Sequence, residues 1–129
     1  MSVLFPDVEP VIVAHLKTRL GLVGFPNAYV ATKRAEPNNP QPHQVVVNVS
    51  YQQEIEPMLR EASLLVDVFA DSYRDANELA LFVEAALDSV KGDPIKRVEV
   101  ALGPTRIANE GPQEQRSLSV DLIVKGSDF

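Results

Sequence analysis

The sequence predicts an α+β fold in the order α-β-β-β-α-β-β, with a mostly antiparallel sheet packed on one face by helices. Three observations carry this. Residues 71–92 hold the longest helical pattern, with Ala76, Leu79, Ala80, Val83, Ala86, Leu87 and Val90 recurring at three- and four-residue spacing along one face. Several other runs alternate apolar and polar residues, the period of a half-buried strand. At 129 residues the chain is most simply one domain, 1–129, large enough for a single core.

The elements follow in chain order. Asp7 caps the first helix, Pro10 falls in its first turn, and Val8, Ile12, Leu16 and Leu20 form its apolar stripe. Gly21 and Gly24 end it. Residues 27–35 alternate as a strand, with Tyr29, Ala31 and Lys33 facing opposite to Ala28, Val30 and Thr32. Residues 36–43 are a turn-rich connector in which Pro37, Pro40 and Pro42 forbid regular structure. Residues 44–51 alternate again, so the two runs are expected to form a long hairpin. Residues 52–62 lose the alternation: Glu54, Glu56 and Glu61 flank Met58 and Leu59, and Pro57 breaks any helix. They read as an irregular loop with a short helical turn, or as a mobile arm. Leu64–Ala70 is a strand that runs through a tight turn into the long helix, capped by Ser72 (or Asp71) and stopped at Gly92 and Pro94. Strands at 97–107 and 117–125 close the sheet, the last with Leu118, Val120, Leu122 and Val124 inward, and the final four residues are expected to fray.

Composition narrows the function. The net charge of −6 argues against binding nucleic acid by broad phosphate neutralisation. There is no cysteine, which removes thiolate chemistry, disulfides and cysteine-ligated metals. No apolar run approaches the roughly 20 residues a membrane helix needs, and the first residues lack a secretory pattern. The expectation is a soluble protein, made and used without export.

Catalytic groups are sparse. There is no phosphate-binding glycine loop, nucleophile elbow or zinc-protease motif. His15 lies at the edge of the first apolar stripe and is expected to be packed or surface-lying; His43 is expected to be a solvated loop residue. Asp67 and Asp121 interrupt apolar strands, which could bring two carboxylates together, but alternation places both on the solvent side of the sheet. Arg34, Lys96, Arg97, Arg106 and Arg116 could form a basic patch, with acidic residues near most of them. Nothing here calls for an enzyme, a metal or a cofactor.

One resemblance extends over the whole length. The opening helix D-V-E-P-V-I-V-A-H-L, the proline-rich segment between early strands, and the core V-D-V-F-A-D-S-Y-R-D-A-N-E-L-A are similar to the tail terminator proteins of long-tailed bacteriophages, especially small actinobacterial-phage forms. That resemblance implies a structural virion protein at the head-proximal end of the tail, assembled in the host cytoplasm. It implies a homo-hexameric ring that caps the tail tube, ends tube polymerisation and offers the head-joining surface. The implied partners are the chain itself, the tail tube protein and a head–tail connector or neck protein. DNA would pass through the channel without specific binding, and no membrane is involved. The departure lies at residues 52–62: relatives often carry a glycine- and arginine-rich linker there, and this chain has Q-Q-E-I-E-P-M-L-R-E-A.

Two loops are the candidate partner contacts, because irregular segments on a rigid sheet carry most recognition. They nominate Asn38, Asn39 and Gln41 in the first, and Ile55, Met58, Leu59 and Arg60 in the second. The alternatives are a head-completion or neck connector protein, and a small-ligand binding module, which would need a concave pocket with converging polar groups.

Overall fold

A computed structural model describes residues 2–129. The chain runs β1 (Val3–Leu4), α1 (Val8–Gly21), β2 (Tyr29–Ala31), β3 (His43–Glu56), β4 (Leu59–Ala70), α2 (Tyr73–Asp88), β5 (Ile95–Ile107), β6 (Glu114–Lys125) and β7 (Ser127–Asp128). Five strands form the main sheet in the order β2-β3-β4-β6-β5, and β1 pairs antiparallel with β7 in a small separate ribbon. All main-sheet pairings are antiparallel except β2 with β3. The α+β architecture with helices on one face is the predicted one.

The helices begin where their caps are. The Asp7 carboxylate accepts the Glu9 amide at 3.2 Å, and the Ser72 hydroxyl accepts the Asp75 amide at 3.1 Å, each satisfying an amide that the helix cannot. Val8, Ile12, Leu16 and Leu20 are all buried, as their spacing requires. Helix α2 is shorter than its sequence pattern. It stops at Asp88, and the Ser89 hydroxyl donates to the Ala86 carbonyl at 2.7 Å. The chain then turns through Gly92, whose φ of 92° suits a residue without a side chain. Alanines at 76, 80 and 86 let α2 lie close on the sheet.

Register stacks the core in rows. Val47, Val66 and Leu118 are neighbours across three strands, as are Leu64 and Val120 with Val100. Ala62, Leu122 and Val98 form the next row. These strand residues and the two helical stripes make one continuous cluster. Burying a side chain of this kind contributes roughly 1.5–3 kcal/mol, so the helix layer is held mainly by these rows.

The hairpin expected from residues 27–35 and 44–51 is not there. Strand β2 has three residues and runs parallel to β3, with Tyr29 opposite Gln44 and Ala31 opposite Val46. Residues 32–42 form the crossover that a parallel pair needs. They fold over the sheet face away from the helices, where the Arg34 guanidinium lies 3.9 Å from the centre of the Phe69 ring. The Gln44 side chain ties the crossover back by accepting the Ala35 amide at 2.9 Å.

Residues 52–62 are a second correction. They are neither an irregular loop nor a helical turn: β3 continues to Glu56, Pro57 and Met58 turn, and β4 starts at Leu59. Alternation fails because every residue from Ser50 to Pro57 is exposed, so nothing selects an apolar face there. The ladder with β4, and that of β4 with β6 as far as Lys125, keeps the segment extended.

Candidate interaction surface

The main sheet ends in two edges. On one side β3 is covered by β2 only at Gln44–Val46; past that point its outer edge has no strand beside it among the described residues. One amide of that edge is satisfied locally: the Glu9 carboxylate reaches across from α1 and accepts the Val49 N–H at 2.7 Å. From Ser50 outward the edge is open. On the other side β5 is the edge strand, broken by register shifts near Arg97, Leu102 and Thr105. Such bulges blunt an edge; β5 has three of these shifts, and the outer part of β3 has two, between Val49 and Tyr51 and between Glu54 and Glu56.

The nominated contact residues divide between these features. Asn38 and Asn39 are exposed in the crossover, where the Asn39 amide closes a turn onto the Glu36 carbonyl at 2.9 Å. Gln41 is half-buried, and its carbonyl accepts the Gln113 side-chain amide at 2.8 Å, so it braces the crossover. Ile55 projects from the hairpin and is 52% exposed. Met58 and Leu59 are half-buried at the turn; the Met58 carbonyl accepts the Gly126 amide at 2.8 Å. Arg60 is bonded to Gln52 Oε1 at 3.1 Å and stacks 4.2 Å above the Phe5 ring. Of the hairpin residues, Ile55 together with Glu54 and Glu56 forms the free surface; Met58, Leu59 and Arg60 anchor it.

Asp67 and Asp121, the carboxylates that interrupt the apolar strands, do not come together. Asp67 accepts from the Ser117 hydroxyl at 2.9 Å, while Asp121 accepts from the Ser63 hydroxyl at 2.6 Å. These pairs lie at separate register positions, four residues apart along the strands, roughly 13 Å. Both aspartates are half-buried on the face away from the helices, as alternation indicated. His15 is packed: its Nε2 is 2.8 Å from the Ala86 carbonyl and ties α1 to the end of α2. His43 is not a loose loop residue. It opens β3, stands edge-on to Phe25 with centroids 4.9 Å apart, and places Nε2 3.3 Å from the Asp75 carboxylate. Among the described residues no group of acidic, histidine or cysteine side chains is arranged to hold a metal. No protein-family model matches the chain, and no curated protein is significantly similar to it.

A further site emerges at the end of the sheet opposite the hairpin. Arg116 points to the helix side, in line with the inward residues of β6, and its side chain is only 3% exposed. Its Nε donates to Asn77 Oδ1 at 2.8 Å and its Nη1 to the Gln115 carbonyl at 2.9 Å. The same Nη1 is 3.4 Å from a Glu114 oxygen, which also accepts from Arg106 Nε at 3.2 Å. Nη2 is buried and has no hydrogen-bond partner. Leaving a buried donor unpaired costs about 1–3 kcal/mol, more when it is charged. The Tyr73 ring lies over both guanidinium groups, 4.8 Å from Arg116 and 5.4 Å from Arg106. Tyr73, Asn77, Leu81, Pro104, Arg106 and Arg116 line a recess of about 370 Å³. Two cations share one carboxylate there, leaving one positive charge in excess. The Arg106 hydrogen bond, with help from Arg116, holds the Glu114 carboxyl below the usual range against a smaller opposing effect of desolvation.

The expected basic patch is otherwise dispersed. Lys96 pairs with Asp93, Arg97 lies 3.6 Å from Glu99, and Arg34 belongs to the crossover. Sequence reading missed the recess, although one signal was present. Arg116 is in phase with Leu118, Val120, Leu122 and Val124, so a charge at the next inward position had to be buried or paired.

Proposed function

We propose that this protein is a structural, non-enzymatic assembly subunit of the tail terminator kind, forming a ring that caps a phage tail tube, ends its polymerisation and presents the head-joining surface. The observation that carries the proposal is the open outer edge of β3 beyond Val46, exposed from Ser50 to Glu56. An unpaired strand edge invites a second chain, and a closed ring of identical subunits protects it without further aggregation. A heterologous contact that closes on rotation produces such a ring. The sheet face away from the helices adds to the reading: Leu65 and Leu102 are exposed on the sheet at 40% and 55%.

The reading also fits the charge. At −6 per chain, a ring of these subunits gives duplex phosphate few counter-charges, which suits a channel that DNA traverses. The test is electron microscopy of purified tail tubes mixed with the gold-labelled protein. Label at one end of each tube, with further tube growth arrested, is the expected result. Label spread along the tubes, or absent from them, overturns the proposal.

A further inference from the structure

We propose that the Arg106–Arg116 recess receives the Glu54–Ile55–Glu56 segment of a second copy of this chain, a contact that rests on the ring reading and specifies its subunit junction. The recess side is short of acceptors. Arg116 Nη2 is buried and unpartnered, Arg106 and Arg116 share a single Glu114 oxygen, and the rim carries exposed apolar surface at Tyr73 (57%) and Leu81 (60%). The site thus calls for a carboxylate next to an apolar side chain. The exposed Tyr73 ring lies over both guanidinium groups and is the rim side chain that an incoming carboxylate would displace to reach them.

The hairpin supplies that pattern. Glu54 and Glu56 flank Ile55 on the open edge of β3, and among the described residues neither glutamate is in an ion pair. One molecule cannot satisfy both ends. Glu54 is opposite Arg60, Arg60 is opposite Val124, and Val124 is eight residues along β6 from Arg116, a separation of roughly 26 Å. Donor and acceptor surfaces at opposite ends of one sheet make a head-to-tail contact, the type that generates rings. Charge complementarity also sets which ends meet, since two recesses repel and two hairpin tips repel.

The absence of cysteine makes the contact directly testable in the full chain. Ile55→Cys and Leu81→Cys variants, carrying different tags, are mixed with tail tubes and oxidised. A disulfide joining the two tags, in excess over same-tag dimers, is the expected product. A Glu54→Arg, Glu56→Arg variant should lose association on the order of tenfold or more, and adding Arg106→Glu to it should restore part of the loss. All of these positions are exposed, so folding is not at stake. If wild type assembles on tubes but the mixed disulfide does not form and the charge reversal has no effect, this contact is wrong and the ring reading stands. If the disulfide forms but tube ends stay bare, the contact stands and the tube-capping reading falls. If wild type does not self-associate with tubes present and the paired cysteine variants do not cross-link, both fall.

Discussion

Replacing Arg116 with methionine should leave the protein about as stable as it is now, although Arg116 is among the most buried polar residues. The side chain makes hydrogen bonds to Asn77 and to the Gln115 carbonyl, and an ion pair with Glu114. Bonds to a charged group contribute about 1.5–3 kcal/mol each. Against them stand the desolvation of a guanidinium, several kcal/mol even after relaxation, and the unpaired Nη2. The two sides are of similar size, so Arg116→Met should change stability by no more than about 1 kcal/mol. Arg116→Ala gives up the same polar contacts and also leaves a void, and should cost roughly 2–4 kcal/mol. Urea unfolding at neutral pH separates the cases: with a slope of about 1–3 kcal/mol per molar, a 3 kcal/mol loss moves the midpoint by on the order of 1–3 M. If Arg116→Met loses as much as Arg116→Ala, the guanidinium is a net structural staple. The argument that it is kept for a partner would then be refuted.

Three further outcomes follow from the same geometry. Glu9→Ala should release the Val49 amide on the β3 edge, cost about 1 kcal/mol, and speed hydrogen exchange at Val49 more than at its ladder-bonded neighbours. Gly126→Ala should cost roughly 1–3 kcal/mol, because a Cβ there collides with the Val3 side chain and comes within 3.1 Å of Phe5 Cε1; its mark would be fraying of the β1–β7 ribbon in amide-protection measurements. Glu114 has a folded pKa below its ordinary 4.5, so its contribution to stability is fully present above that pH and is lost as pH falls through the folded value. A carboxyl-resolved NMR titration should find its midpoint below 4.5, and Arg106→Ala should raise it.

Much of the fold was legible because burial leaves a period. Val8, Ile12, Leu16 and Leu20, and the alternating aliphatics of β4 and β6, each face one apolar layer, and that layer imposes their spacing. Alternation reports facing but not direction, which is why β2 was expected antiparallel to β3 and is parallel. What redirects it is Arg34 stacking on Phe69 and Gln44 bonding Ala35, contacts between residues that no local pattern links. Where both faces are wet, as from Ser50 to Pro57, the period disappears although the strand does not. In the nominated segment Ile55 is exposed, whereas Met58, Leu59 and Arg60 are half-buried where the hairpin turns, with Met58 bonded to Gly126 and Arg60 stacked on Phe5. The recess was hidden because Tyr73, Arg106 and Arg116 come from three elements that meet only when α2 lies on the sheet.

The mass of the assembled protein tests the central proposal most directly. Multi-angle light scattering of the 14.2 kDa chain, recovered from tail tubes after gentle cross-linking, should give a discrete species of six copies, about 85 kDa. A chain that stays at monomer mass with tubes present, across the concentrations at which tubes form, contradicts the account.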